Sequence, residues 1–237
     1  MKKPGIPTED RYSRTAALTG EAGLERLKAA KVLIIGIGGV GSYAAEACAR
    51  AGIGHLTFMD GDVVVPSNLN RQLVALTSTV GQNKAEVMAA RAADIDPGTD
   101  IQVISRFYTE DDSLDLTQYD WIVDAIDDVS AKTELIVKAS ELGVNIISAM
   151  GAGGKTGTAF RVSDISETSV CPLARVMRRR LRDRGIMHLP VVFSEEKPVP
   201  RTDDVLGTLS YVPGSAGLAM AGYVIRSIAF DSDRDDA

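Results

Sequence analysis

The sequence has little of what several protein classes require. It contains two cysteines, Cys48 and Cys171, which lie far apart in a chain of 237 residues. It has no Cys-x-x-Cys pair, so a structural zinc site built from paired cysteines has no support. Few cysteines favour a reducing, cytoplasmic setting. A chain of this length buries enough apolar surface to fold without disulfides or metal cross-links.

Long apolar segments are also scarce. Residues 1–10 are polar and contain prolines, so they lack the apolar centre of a secretion signal. The longest apolar stretch near the end covers 212–230, but a proline, glycines and Arg226 interrupt it. Because a spanning helix needs about 20 cleanly apolar residues, we expect a buried helix here and no association with a membrane.

An overall excess of positive charge is absent, since the formal net charge is −6. This disfavours broad, non-specific binding to nucleic acid, which depends on neutralising phosphates. One segment is an exception. It predicts a basic helix over 173–184 and holds six arginines: Arg175, Arg178, Arg179, Arg180, Arg182 and Arg184.

Strands and helices alternate along the first 150 residues. Apolar runs predict strands at 32–35, 55–59, 101–105, 121–123 and 144–148, and helices at 39–51, 83–95 and 131–142. Such alternation implies βαβ units, and therefore an α/β, Rossmann-like fold with a mostly parallel, doubly wound sheet.

The pattern weakens beyond the glycine-rich residues 151–154, and we expect a C-terminal α+β extension there. Short strands are predicted at 160–162 and 189–193, a surface loop at 194–208 and a closing helix at 217–229. We expect one compact domain with three regions: an N-terminal arm and helix (1–30), a nucleotide-binding region (31–154) and the extension (155–237).

A glycine fingerprint follows the first predicted strand and opens a helix. It comprises Gly36, Gly38, Gly39 and Gly41. Small residues let the backbone approach a phosphate, and the helix N-terminus offers unpaired N–H groups. Asp60 ends the second strand, about 20 residues further on, where an acidic residue holds ribose hydroxyls. The alternative is a packing turn, with Asp60 as an ordinary residue at the end of a strand.

Further polar groups follow other strands and favour ATP over NAD. Arg71, Lys84 and Asp127 come in order along the edge where open α/β sheets bind ligands. Each has a simpler explanation: Arg71 as a surface ion-pair partner, Lys84 as a solvated lysine and Asp127 as a helix cap. Together, the three favour binding of several phosphates.

As a set, the motifs from about residue 11 to 152 resemble the ubiquitin-activating-type adenylyltransferases. They are Arg11-Tyr12-Ser13-Arg14, the glycine loop, Asp60-Gly61-Asp62, Asn68-x-Asn70-Arg71-Gln72, Gly81-x-x-Lys84 and Asp124-x-x-Asp127. The resemblance implies that Asp60 holds the ATP ribose, that Arg71 and Lys84 bind the phosphates, and that Asp127 holds Mg²⁺. It implies that Arg14 reaches the phosphates of a neighbouring subunit, hence a homodimer. It also admits a monovalent cation, whose ligands it does not place.

The later segments are similar to a particular branch, the tRNA threonylcarbamoyladenosine dehydratases. These segments begin at Cys171, Val191 and Gly207, and they extend the resemblance to about residue 230. That branch implies ATP-dependent adenylation of a carboxylate on a tRNA adenosine, followed by intramolecular ring closure. No enzyme cysteine is needed for this, because the nucleophile is held nearby. Contacts to tRNA phosphates are then expected from Arg175, Arg178, Arg179 and Arg182.

Two other functions stay open at this point. One is adenylation of the C-terminus of a ubiquitin-like sulfur carrier. The absent cysteine pairs and the arginine-rich helix speak against it. The other is a nucleotide sensor or NAD-binding module without catalysis, against which Arg71, Lys84 and Asp127 speak. Whichever function holds, a sulfur-transfer or cysteine-desulfurase partner is a further option.

Overall fold

The helices and strands alternate through most of the chain, as expected. The structure is a computed structural model that describes residues 10–199 and 206–230. Its α-helices are α1 (Ser13–Ala29), α2 (Gly41–Ala51), α3 (Lys84–Ile95), α4 (Val129–Leu142), α5 (Pro172–Asp183) and α6 (Tyr211–Ala229). Its strands are β1 (Lys31–Ile35), β2 (His55–Met59), β3 (Asp100–Ile104), β4 (Trp121–Asp124), β5 (Asn145–Ala149), β6 (Arg161–Asp164) and β7 (Pro190–Phe193).

The strands form one sheet in the order β3-β2-β1-β4-β5-β7-β6. Every neighbouring pair is parallel except β6 and β7. Ile35 lies opposite both Met59 and Asp124, and Asp124 lies opposite Ser148. The carboxyl ends of the four central strands therefore meet at one edge, so the residues that follow them come together.

Helices cover both faces of the sheet. On one face α2, α3 and α6 enclose a core around Ile34, Phe58 and Met220. On the other, α4 and α5 enclose a second core around Leu33, Leu135 and Met177. This confirms the predicted Rossmann-like, doubly wound α/β fold. No helix within the described ranges is long and apolar enough to cross a membrane.

The strands of the extension belong to the same sheet. They lengthen it, since β7 pairs with β5 in parallel and β6 pairs with β7. The helix predicted from 217 begins at Tyr211, with Pro213 in its first turn. Proline fits there because the first amides of a helix have no intrahelical acceptor. Residues 1–9 of the predicted arm and 200–205 of the predicted loop lie outside the described residues.

Candidate functional site

A cleft of about 1060 Å³ opens at the carboxyl ends of the central strands. Ten of the predicted site residues line it: Gly36, Gly38, Gly39, Asp60, Asp62, Asn68, Arg71, Gln72, Lys84 and Asp127. Others do not line it, namely Gly41, Asn70, Arg14 and the arginines of α5. The geometry thus brings together most of the groups that the sequence analysis associated with a nucleotide.

The glycine loop has little room for side chains. Gly36 has φ +87°, and a Cβ on it would lie 2.6 Å from the carbonyl oxygen of Ala125. A Cβ on Gly41 would lie 1.8 Å from the oxygen of Gly36, so Gly41 serves close packing of α2 rather than the cleft. The amides of Gly38 and Gly39 make no hydrogen bond within the described residues. They are available to phosphate oxygens.

Asp60 is buried at the end of β2 and organises this loop. Its Oδ2 accepts a hydrogen bond of 2.6 Å from the amide of Ile37, and its Oδ1 accepts one of 2.8 Å from the amide of Asp62. Burial raises the pKa of the Asp60 carboxyl above its usual value, although these amides and Lys84 oppose the shift. Each carboxylate oxygen keeps a second lone pair for a ligand hydroxyl.

Lys84 is a buried, paired cation rather than a solvated lysine. It opens α3, whose cap is Asn83, and its Nζ lies 2.7 Å from Oδ2 of Asp62. The simpler explanation for Lys84 is therefore wrong, because the start of α3 packs against the loop that follows β2. Asp62 is the one carboxylate that pairs with Lys84 among the described residues, and it is exposed, so Lys84 can exchange it for a phosphate.

The segment 68–72 carries the next polar groups. Arg71 donates to the oxygens of Ser67 and Asn70, and it has no carboxylate partner within the described residues. Asn70 points elsewhere, since its amide donates to the oxygen of Thr208. Asn68 turns its Oδ1 to the amide of Val65. Gln72 is different, because its buried Oε1 has no hydrogen-bond partner among the described residues. An unsatisfied buried oxygen at a cleft wall fits a ligand donor.

Asp127 is exposed in the cleft, and no described residue donates a hydrogen bond to it. The helix cap is its neighbour Asp128, whose side chain accepts from the amide of Ala131. The cap explanation for Asp127 is therefore wrong. No cluster of three or more His, Cys, Asp or Glu residues within the described ranges is placed to hold a metal ion. A single carboxylate together with phosphate oxygens is, however, a common donor set for Mg²⁺.

The structure adds a buried network beneath the cleft that the sequence analysis missed. Lys132 is fully buried, and its Nζ lies 2.7 Å from Oδ2 of Asp124. The same oxygen accepts from Ser148 at 2.6 Å, and Oδ1 accepts from the amide of Ile126. Asp124 therefore holds the loop that carries Asp127. Asp124 already stands in the Asp124-x-x-Asp127 motif, and a lysine at an inward position of α4 is the sequence signal of its partner.

Two further missed or undecided groups lie along the cleft. Lys155 is buried and donates to the carbonyl oxygens of Ser194 and Glu196, at 2.9 and 2.8 Å. Cys171 is also buried and lines the cleft immediately before α5. Both follow irregular segments, in which the sequence gives no periodic signal for the direction of a side chain.

Arg14 is exposed near the opposite edge of the sheet. The start of α1 is fixed there because Arg11 donates to the oxygen of Ile95, at the end of α3. Helices that connect parallel strands run back to the amino ends of those strands, so this edge lies away from the cleft. Arg14 thus does not reach the cleft of its own chain.

The four arginines of α5 that were predicted to contact tRNA divide into two groups. Arg178 turns inward and donates to the carbonyl and hydroxyl oxygens of Thr168. The structure therefore does not present it with the other predicted tRNA contacts, because Thr168 already occupies its guanidinium. Arg175, Arg179 and Arg182 are exposed, and their guanidinium groups have no hydrogen-bond partner within the described residues. Their spacing of four and three places them on one helix face.

The chain is similar to known proteins along most of its length. The ThiF family model matches residues 12–235. The chain is 39% identical to the tRNA threonylcarbamoyladenosine dehydratase of Bacillus subtilis (strain 168), over 93% of this chain and 95% of that protein. It is 36% identical to a Salmonella typhimurium molybdopterin-synthase adenylyltransferase over a shorter part, 58% of this chain and 57% of that protein.

Solved structures of a dehydratase are also similar to this chain. The crystal structure of E. coli tRNA N6-threonylcarbamoyladenosine dehydratase, TcdA, in complex with AMP has a TM-score of 0.87 and 36% identity. It covers 92% of this chain, which covers 93% of that one. The ATP complex of the same enzyme has a TM-score of 0.85 and 35% identity, with the same coverage of both chains.

Proposed function

The chain belongs to the ThiF family, and from this membership we propose that it is an ATP-dependent tRNA threonylcarbamoyladenosine dehydratase. One observation carries the proposal: the similarity to the Bacillus subtilis dehydratase covers 93% of the chain. The similarity therefore includes α5 and the segments after it. Activation of a sulfur carrier gives no reason for these parts of the chain. The cleft supplies the groups that binding and activation of ATP require.

Five residues bind ATP in this proposal. Asp60 accepts the ribose hydroxyls, and the amides of Gly38 and Gly39 donate to phosphate oxygens. Lys84 leaves Asp62 to bind a phosphate, which leaves Asp62 exposed to water. Arg71 supplies a second cation. Because these positive groups surround the phosphates, they offset the charge that develops as pyrophosphate departs.

Mg²⁺ would be held by Asp127 and phosphate oxygens, where it would neutralise charge on the phosphates. The side chain of Asp127 is suited to this because no described residue occupies it. Asp124 and Lys132 contribute indirectly, by fixing the loop between β4 and α4.

The reaction has two steps. An oxygen of the threonylcarbamoyl carboxylate attacks the α-phosphorus of ATP, and the bond to pyrophosphate breaks. A nucleophilic atom of the same modification then attacks the acyl carbon, AMP leaves with the bonding electrons, and one proton is released to solvent. The product is lighter than the substrate by one water. Both ends of the ring-closing bond belong to one group, so proximity replaces an enzyme nucleophile.

The exposed arginines of α5 are proposed to contact tRNA. Arg175, Arg179 and Arg182 form one face, and residues 171–173 at the start of the helix line the cleft. Successive turns of a helix rise about 5.4 Å, so the three guanidinium groups form a track that leads to the cleft. Arginine suits phosphate contacts because it donates in a fixed fork.

Arg14 is proposed to complete the cleft of a second copy of the chain, in a cytoplasmic homodimer. It lies at the edge of the sheet away from its own cleft, and it is exposed at the start of α1. A two-fold arrangement would give each cleft one arginine from the partner.

The alternative is activation of a sulfur-carrier protein, with a cysteine-desulfurase or other sulfur-transfer partner. The molybdopterin-synthase adenylyltransferase matches only 58% of the chain. That similarity is too short to account for the nucleotide-binding region and the C-terminal extension together. The chain also lacks paired cysteines. We therefore propose the dehydratase.

The test is incubation of the protein with ATP, Mg²⁺ and tRNA that bears threonylcarbamoyladenosine, followed by mass spectrometry of the nucleosides. We expect a product lighter by one water, formed only with ATP and lost in Asp127→Ala. Asp128→Ala is the matched control: it removes the helix cap, which lowers stability by about 1 kcal/mol, and it keeps the carboxylate of Asp127. No mass change in a protein that binds ATP would refute the proposal and favour a carrier substrate.

A further inference from the structure

Three lysines are buried within the described residues, and they differ in one respect. Lys84 pairs with Asp62, and Lys132 pairs with Asp124, each with Nζ 2.7 Å from a carboxylate oxygen. Lys155 is equally buried, with 3% of its surface exposed, but none of the described carboxylates lies within ion-pair distance of it. Buried charges in proteins are normally paired. Lys155 is therefore an exception among the three, and its burial without a paired carboxylate needs an explanation.

The described residues around Lys155 offer oxygen acceptors but no paired carboxylate. Its Nζ donates to the carbonyl oxygens of Ser194 and Glu196, so one of its three N–H groups has no acceptor among the residues that the structure describes. The carboxylate of Glu196 is engaged elsewhere, by the amides of Thr156 and Gly157. Burial lowers the pKa of Lys155, and the nearby Cys171 and Glu196 oppose the shift only through space.

Lys155 also has a position that a ligand can reach. It lines the cleft together with the glycine-rich loop 151–153 and with Cys171 and Leu173. This wall belongs to β5 and the segments after it, whereas Asp60 and Lys84 follow β2. The phosphate-binding groups and Lys155 thus stand on different walls of one cleft.

A purely structural role does not account for a charged residue here. Two carbonyl oxygens need two donors, and a neutral amide would supply them without the cost of burying a charge. An ammonium group is needed only if a negative group comes to it. In the proposed reaction, an anion must enter the cleft beside the nucleotide, namely the carboxylate that is activated.

We propose that Lys155 is a catalytic residue that binds the carboxylate of the threonylcarbamoyl group and holds it for attack on the α-phosphorus of ATP. This rests on the proposed dehydratase function. One carboxylate oxygen attacks phosphorus, and the other accepts the remaining N–H of Lys155. In the ring-closing step, the second oxygen becomes an oxyanion as the nucleophile adds to the acyl carbon. The same ammonium stabilises it until AMP leaves.

The experiment compares two forms of one tRNA in the presence of AMP. One bears threonylcarbamoyladenosine, and the other bears its methyl ester, which has lost the negative charge. We expect the wild-type protein to bind the carboxylate form at least about 10-fold more tightly, as a charge-assisted hydrogen bond predicts. Equal affinities for the two forms would overturn the proposal without any variant.

Lys155→Gln separates the charge from the structural contacts, because its amide keeps two donors. We expect it to reduce the preference for the carboxylate to below about 2-fold and to leave AMP affinity unchanged. Lys155→Arg should retain a preference, since it keeps the charge. Glu196→Ala is the matched control: it loosens segment 194–196 but leaves Lys155 charged, so the preference should stay at the wild-type value.

Two results with Lys155→Gln would contradict the proposal. If this variant still preferred the carboxylate form over the methyl ester, Lys155 would have only a structural role. A loss of AMP affinity with the preference intact would assign Lys155 to the nucleotide phosphate instead. Failure of the dehydratase function itself looks different, because the wild-type protein would then produce no dehydrated nucleoside at all.

Discussion

Among single residues, the buried pair of Lys132 and Asp124 has a measurable role. The two side chains are fully buried, and Ser148 shares the carboxylate. Lys132→Met should lower the free energy of unfolding by about 3–5 kcal/mol, because it strands a buried carboxylate. It should also lower turnover, since Asp124 fixes the loop that carries Asp127. Urea denaturation and the nucleoside assay measure the two effects.

The control for this pair is the double variant Asp124→Asn, Lys132→Met. With both charges removed, the loss of stability should be smaller than the sum of the two single losses. If Lys132→Met alone changed the free energy of unfolding by less than about 1 kcal/mol, the pair would be unimportant.

Cys171 gives a second test at this scale. It is buried and lines the cleft, but the proposed ring closure needs no thiol. Cys171→Ser should therefore retain turnover within about 3-fold, because proximity within the substrate replaces the enzyme nucleophile. Complete loss of turnover in a variant with unchanged melting temperature and AMP affinity would instead indicate a covalent acyl-enzyme.

The sequence predicts where many site residues lie along the fold, but not the direction of every side chain. The fingerprint and Asp60 were predictable because both follow apolar runs that define strand ends. Lys155 was not, because its partner at Ser194 lies 39 residues away in an irregular segment. The direction of the Arg178 side chain was predicted wrongly for a related reason. Its guanidinium donates to Thr168, which belongs to a turn without any periodic pattern in the sequence.

At the scale of elements, α5 predicts how the affinity for tRNA depends on salt concentration. The variant Arg175→Ala, Arg179→Ala, Arg182→Ala removes three exposed guanidinium groups from one helix face. We expect weaker tRNA binding, and a slope of log affinity against log salt that is smaller by about 2–3, since each lost phosphate contact contributes about 0.7–0.9. ATP affinity should be unchanged. The measurement is filter binding at several salt concentrations.

Arg178→Ala is the matched variant on the same helix. Its guanidinium bonds to Thr168, so it should lose stability, by about 1–3 kcal/mol, and keep the wild-type salt slope. A triple variant with an unchanged slope would remove α5 from the tRNA interface.

Elements were predicted well where periodicity was strong and poorly where turn residues sit inside a helix. β2 lies where the apolar run placed it, at His55–Met59. α6 begins six residues before its predicted start because Pro213 and Gly214 are accommodated in its first turns. Those residues usually indicate a loop, and packing against α2 overrides that preference here.

At the scale of the whole molecule, the position of Arg14 predicts shared clefts. Arg14→Ala and Lys84→Met should each be inactive as homodimers. Mixed and allowed to exchange subunits, they should recover about a quarter of wild-type turnover, because half the dimers are mixed and each has one intact cleft in a two-fold assembly. The nucleoside assay on the mixture measures this.

The control is the same mixture made from Asp127→Ala and Lys84→Met, which damage the same cleft. It should recover nothing. If the first mixture also stayed inactive although subunits exchanged, Arg14 would act within its own chain or have no role in the reaction.

The first helix and α6 are joined across almost the whole chain. Arg26 donates to the oxygens of Ile228 and Ala229, the latter across 203 residues. Pro213, near the start of α6, lies against Gly39 in the glycine loop, and both line the cleft. A ribosome therefore completes the nucleotide fingerprint long before it makes one wall of the cleft. Cellular ATP can stabilise the finished protein, but a nascent chain must wait for α6 to emerge before ligand binding can protect it from misfolding and proteolysis.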